Sequence, residues 1–142
     1  MVDALLECWR VLEPGGTLID LRPFHSQPAI EIITTDGTFI PGRIDDSGGA
    51  PDDIAADEAM AEVVRRGLFT LSKRDSFEFA TYWDTLDGLL EYAEERWRGD
   101  ACIPPFVEAS ARRCVAGINE PYKIRRRREI HIAVYEKQVD YE

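Results

Sequence analysis

Residues 9–23 read Trp-Arg-Val-Leu-Glu-Pro-Gly-Gly-Thr-Leu-Ile-Asp-Leu-Arg-Pro, and the reading of this stretch decides the fold class. Upstream of it, Val2, Leu5, Leu6, Trp9 and Leu12 recur at helical spacing, which predicts a helix with one apolar stripe. Pro14 and Gly15 stop that helix, since proline lacks the N–H and glycine accepts φ > 0. Thr17 to Leu21 is a short apolar run with β-branched members, read as a buried strand, and Pro23 ends it by removing a ladder donor. The unit is therefore helix, Pro14-Gly15-Gly16 reversal, strand.

Working outward, Phe24 to Pro28 reads as a loop. Ala29–Thr35 and Thr38–Ile44 flank Asp36-Gly37, a two-residue hairpin signal that sets Ile33 opposite Ile40. Asp45 to Pro51 reads as a flexible loop. Asp52 or Asp53 then caps a helix with Ala56, Ala59, Met60, Val63 and Val64 inward, ended by Gly67. Leu68 to Trp83 alternates as a hairpin or as one long bent strand. Thr85 or Asp84 caps a helix with a Leu86, Leu89, Leu90, Ala93, Trp97 stripe. A helix from Pro104 or Pro105 to Gly117 turns Phe106, Val107, Ser110, Cys114 and Val115 inward. Tyr122 to Lys137 alternates with period two, its inward face becoming apolar only after Arg128.

Global properties narrow the function classes. A chain of 142 residues, 44% hydrophobic, is the size of one domain, and residues 1–142 are read as a single one. Seventeen basic against 27 acidic residues give a net charge of −10, which disfavours nucleic acid and anionic membranes as partners. No apolar run approaches the roughly 20 residues a membrane helix needs, and the N-terminus lacks a secretory pattern, so a cytoplasmic location is expected. Cys8, Cys102 and Cys114 lack Cys-x-x-Cys spacing and read as reduced core thiols, with neither a disulfide framework nor a metal site. Ser47-Gly48-Gly49 lies between acidic pairs that repel phosphate. Arg125 to Arg128 is split by strand alternation between two faces and reads as a salt-bridged strand start answering the acidic helices.

The stretch Arg-Val-Leu-Glu-Pro-Gly-Gly-Thr-Leu-Ile-Asp-Leu-Arg-Pro, residues 10–23, resembles the helix–turn–strand unit in the C-terminal half of class I S-adenosylmethionine-dependent methyltransferases. In that family the unit leads into the fifth strand of a seven-stranded sheet, and the remaining elements of this chain are compatible with the same half. The resemblance implies an α/β fold, a mixed and partly antiparallel sheet with helices, as a remnant of a Rossmann-like methyltransferase. The family binds its cofactor with a glycine-rich turn after the first strand and an acid after the second. This chain begins about one helix before the fifth strand, so the resemblance implies a half without its own cofactor site. S-adenosylmethionine would be bound only if a partner supplied the other half.

Candidate site residues follow. Ligands of open α/β sheets sit beyond the carboxyl ends of strands, which places Asp20, Arg22 and His25 on the substrate side that the resemblance implies. Tyr82, Trp83 and Asp84 end a strand beside a helix start, where aromatic rings line a pocket and Asp84 anchors a polar group. No catalytic residue is assigned. The expected partners are a second copy of the chain or a separate methyltransferase half. The rival readings are a small-molecule binding or interaction module and, more weakly, an acid–base site built on Asp20, Arg22 and His25.

Overall fold

The computed structural model describes residues 1–139. The described residues form an α/β fold with four helices and one open antiparallel sheet of five strands. The elements are α1 (Val2–Val11), β1 (Thr17–Pro23), β2 (Ala29–Thr34), β3 (Gly37–Arg43), α2 (Ala50–Arg65), β4 (Phe69–Trp83), α3 (Leu86–Arg96), α4 (Pro105–Ala116) and β5 (Lys123–Lys137). The expected mixed sheet is corrected. β1 pairs with β5, β2 with β3 and β2 with β5, and all three pairings are antiparallel. β5 pairs with β1, β2 and β4. Among the described residues no helix is long and apolar enough to cross a membrane.

The residues divide into two compact units, each assembled from separated segments. The first comprises residues 1–24, 51–77 and 129–142. Its core is Met60, Val63, Phe69 and Tyr135, with Val2, Leu5, Trp9, Leu12 and Leu18 packed against them. The predicted helix–turn–strand unit forms here. Gly16 N–H donates to Glu13 O at 2.8 Å, closing a turn with Pro14 in second place and Gly15, at φ +75°, in third. That is where a type II turn needs a positive φ. Lys137 secures the unit, its backbone N–H donating to Gly16 O at 2.8 Å and its ammonium to Leu12 O at 2.7 Å while lying 4.3 Å over the Trp9 ring.

β1 corrects one expectation. It pairs with β5 from Thr17 opposite Glu136 to Pro23 opposite Ile130, and with no other strand among the described residues. Only Leu18 of its apolar residues joins the core. Ile19 and Leu21 stay 58% and 56% exposed, so the strand is covered on one face. Period two sends alternate residues to opposite faces, and α1 and α2 supply core contacts for one face only.

The second unit comprises residues 25–50 and 78–128. Its core is Ile30, Ile32, Ile44, Leu86, Leu89, Val107, Ala111 and Ile124. The β2–β3 hairpin forms in a different register from the expected one, with Ile33 opposite Thr38 and the turn on Thr35-Asp36. The Thr34 hydroxyl accepts the Asp36 N–H at 3.2 Å and donates to Gly37 O at 3.3 Å, a local closure that shifts the turn one residue back. In place of the expected loop, Ser47–Gly49 is a 3-10 turn running into a helix whose second residue is Pro51. Asp52 and Asp53 therefore occupy the first turn of α2, where the helix dipole favours acids, and are not its cap.

Thr85 caps α3, its Oγ1 accepting Gly88 N–H at 3.0 Å. In α4 the inward positions are Val107, Ala111, Cys114 and Val115, at spacings of four and seven to eight. Phe106 falls one residue out of that phase and is 75% exposed, against expectation. Leu68 to Trp83 resolves as one strand of 15 residues. The start of β5 is also buried, through Ile124 and Arg126, so its inward face does not wait for Arg128. Cys8 and Cys114 are half-buried free thiols, while Cys102 is exposed and was misread as a core residue. It sits where its backbone bridges Asp45, an isolated pairing that leaves its side chain outward.

Candidate functional site

In the first unit, Asp20 and Arg22 lie two apart on β1 and share a face. Arg22 Nε and Nη2 both donate to the Asp20 carboxylate at 2.9 Å. Nη2 also donates to Asp57 Oδ1 at 2.6 Å, and Nη1 to the Asp53 carbonyl at 3.2 Å. Partial burial pulls the Arg22 pKa down, but Asp20 and Asp57 outweigh it and hold the group above its ordinary value. The fork is thus occupied by carboxylates, and Arg22 acts as a clamp between β1 and α2.

Beside this clamp is a cavity of about 810 Å³ with Asp20, Arg22, Phe24, Met60, Leu71 and His131 on its wall. The Phe24 and His131 rings stack at 4.9 Å with a 15° interplanar angle, and His131 Nε2 lies 3.0 Å from Glu129 Oε1. Phe24 is held by its backbone N–H, which donates to Glu129 O at 2.8 Å. The cavity offers an apolar floor with carboxylate, guanidinium and imidazole groups at its wall, the usual make-up of a small-molecule site. Sequence reasoning picked Asp20 and Arg22 and missed Asp57, Phe24 and His131. The outward face of β5 carried His131, but nothing local tied it to a residue about 100 positions earlier.

The other candidates lie in the second unit. The His25 ring packs over Gly49 of the 3-10 turn so closely that any side chain at 49 would collide with its Nε2. Trp83 and Tyr92 meet edge-on at 5.4 Å, as do Tyr92 and Trp97 at 6.3 Å. The Arg126 guanidinium carbon lies 5.5 Å from the Trp83 ring centre and 5.3 Å from that of Trp97. Asp84 is exposed and pairs with Lys123 Nζ at 2.6 Å, which holds its carboxyl below the usual range. Tyr82 is exposed. Asp20 and Arg22 therefore belong to one unit, and His25, Trp83 and Asp84 to the other.

Against the expectation from sequence, Arg125 and Arg127 of the arginine run answer strand carboxylates and not the acidic helices. Arg125 and Arg127 both grip Glu31 on β2, each through two nitrogens at 2.7–3.1 Å. Glu31 is 3% exposed. Burial raises its pKa, but the two guanidinium forks prevail and hold it below the ordinary glutamate range. Strand partners win because residues 31 and 125 are directly opposed in the ladder. Among the described residues, no group of three or more His, Cys, Asp or Glu side chains is placed to hold a metal ion. Comparison with protein-family models, with curated proteins and with solved structures gives no match.

Proposed function

We propose that this chain is a methyltransferase-related α/β subunit, inactive by itself, that works when a cofactor-binding half docks beside β1. The observation that carries the reading is the state of that strand. The helix–Pro14-Gly15-Gly16–strand unit ends in a strand paired on one edge only, with Ile19 and Leu21 exposed. An unpaired edge beside apolar side chains is a surface that folded proteins cover. In the family that residues 10–23 resemble, the corresponding strand has a neighbour from the cofactor-binding half on one side. The cavity beside Asp20 and Arg22 serves, on this reading, as part of the acceptor-substrate side.

S-adenosylmethionine then belongs to the assembled protein and not to these 142 residues, which contain no Gly-x-Gly-x-x-Gly sequence, and whose Ser47-Gly48-Gly49 turn before α2 lies between acidic pairs that repel an anionic ligand. A second copy of the chain is the alternative occupant of the β1 edge, through a two-fold contact. Calorimetry tests the proposal. S-adenosylmethionine titrated into the 142-residue chain gives no heat of binding, and titrated into a mixture with the product of an adjacent gene bearing the glycine-rich turn it gives saturable binding. Micromolar binding by the chain alone overturns it. The cavity itself favours a second reading, a small-molecule binding module without methyl transfer. A compound that protects the chain against thermal unfolding without any S-adenosylmethionine dependence selects that reading.

A further inference from the structure

β5 sorts its four consecutive arginines into two classes. Alternation sends Arg125 and Arg127 to one face and Arg126 and Arg128 to the other. The first pair is neutralised by Glu31, and Arg127 also lies 3.9 Å from Glu78. The second pair has no hydrogen bond or ion pair among the described residues. Arg126 is 9% exposed, and the Nε atoms of both Arg126 and Arg128 are sealed from solvent with no acceptor in reach. Arg126 keeps 9% of its surface exposed and Arg128 is only half-buried, which leaves the pair a route to a ligand.

The surroundings of Arg126 define what that ligand must be. Trp83 and Trp97 both approach the guanidinium within cation–π range. Aromatic rings satisfy the charge of a guanidinium but none of its N–H donors, which lie in the plane of the group. Burial first, and the neighbouring Arg128 after it, push the Arg126 pKa down to about 10 against the opposite pull of Tyr92 and Asp46. Asp46 forms no hydrogen bond with either arginine. Its Oδ1 accepts Gln27 N–H at 3.1 Å, and its Oδ2 is buried without a donor. Among the described residues, two nearby guanidinium groups on one strand face are thus left without a hydrogen-bonded anion, one of them between indole rings.

We infer that Arg126 and Arg128, flanked by Trp83 and Trp97, form a binding site for an oxyanion, the phosphate or carboxylate group of a small molecule. Guanidinium forks match such groups in geometry as well as charge. On one face of a strand, side chains two residues apart are spaced by roughly 6.6 Å, which allows two forks to converge on separate oxygens of one group. The site lies within the second unit and is independent of the methyltransferase reading.

The test uses tryptophan fluorescence. The chain has three tryptophans, so a Trp9→Phe background leaves only Trp83 and Trp97 as reporters. Inorganic phosphate, phenyl phosphate and benzoate are titrated in turn. A saturable change is expected with at least one, and the order of affinities separates the sources: phenyl phosphate tightest means an organic phosphate, equal phosphates mean free phosphate, and benzoate tightest means a carboxylate. Arg128→Gln and Arg126→Lys, checked for folding by circular dichroism, each weaken binding at least tenfold. Asp46→Asn, which keeps the acceptor for Gln27 and removes a competing charge, strengthens it. No saturable change with any probe up to about 10 mM, or unchanged affinity in both arginine variants, overturns the inference.

Discussion

Replacing Glu31 with glutamine removes one charge and almost no volume, and should be among the most damaging single changes in the second unit. The Glu31 carboxylate receives four guanidinium N–H bonds at 2.7–3.1 Å while almost wholly buried. Breaking a fully buried pair costs about 3–5 kcal/mol, because the surviving charge is left without compensation. Here the surviving charges are partly wet, with side-chain exposure of 23% for Arg125 and 46% for Arg127. Solvent screening therefore reduces the expected loss to about 2–3 kcal/mol. Urea denaturation measures it as a lower midpoint at unchanged slope. The sign of the pH dependence follows from the lowered Glu31 pKa. A carboxyl whose pKa is depressed on folding stabilises fully above its unfolded value, near 4.3, and that contribution fades as the pH falls through the folded value. The gap between wild type and Glu31→Gln should thus be widest near pH 7 and close in acid. A gap under about 0.5 kcal/mol at pH 7, or one that does not narrow on acidification, would refute the reasoning.

Three further outcomes are expected. Gly15→Val must adopt a positive φ, and Gly16→Val would place its Cβ 2.8 Å from Glu13 O, so each should lose roughly 1–3 kcal/mol; unchanged melting temperatures for both would show that the reversal is wrongly assigned. Thr85→Ala removes the acceptor for Gly88 N–H and should cost about 1 kcal/mol, which the same urea titration would detect. With no cofactor-binding half present, a second copy should take the β1 edge, so sedimentation equilibrium at micromolar concentration should find a dimer of the 16.1 kDa chain that Leu21→Lys dissociates without lowering helix content; a single monomeric species in the wild type would refute the self-association and leave the edge to the separate half.

Local chemistry was legible in the sequence where short-range rules decide the outcome. The Pro14-Gly15 stop, the Thr85 cap and the α4 start at Pro105 are each fixed by backbone geometry within four residues. What could not be read depends on partners far along the chain. The β2–β3 register hung on one threonine hydroxyl competing with a glycine-based turn. The phase of α4 was misjudged at Phe106 because only the position of its neighbours decides which of two adjacent apolar residues turns inward. The candidate site was half legible. Asp20 and Arg22 share a strand face and could be paired by alternation, whereas Asp57 and His131 reach the same cavity from elements 35 and more residues away.

The interleaving of the two units constrains how the protein is made. The first unit draws on residues 1–24, 51–77 and the described residues from 129 onward, and the second is built from the two intervals between them. Tyr135, a core residue of the first unit, lies within the last eight residues of the chain. A ribosome therefore releases α1 and β1 long before their sheet partner exists, and Ile19 and Leu21 wait unpaired for more than 100 residues of synthesis. Contacts of such sequence separation fold slowly and expose strand edges while they wait. Deleting residues 130–136, the stretch of β5 that pairs with β1, should thus strand the N-terminal helix–turn–strand unit.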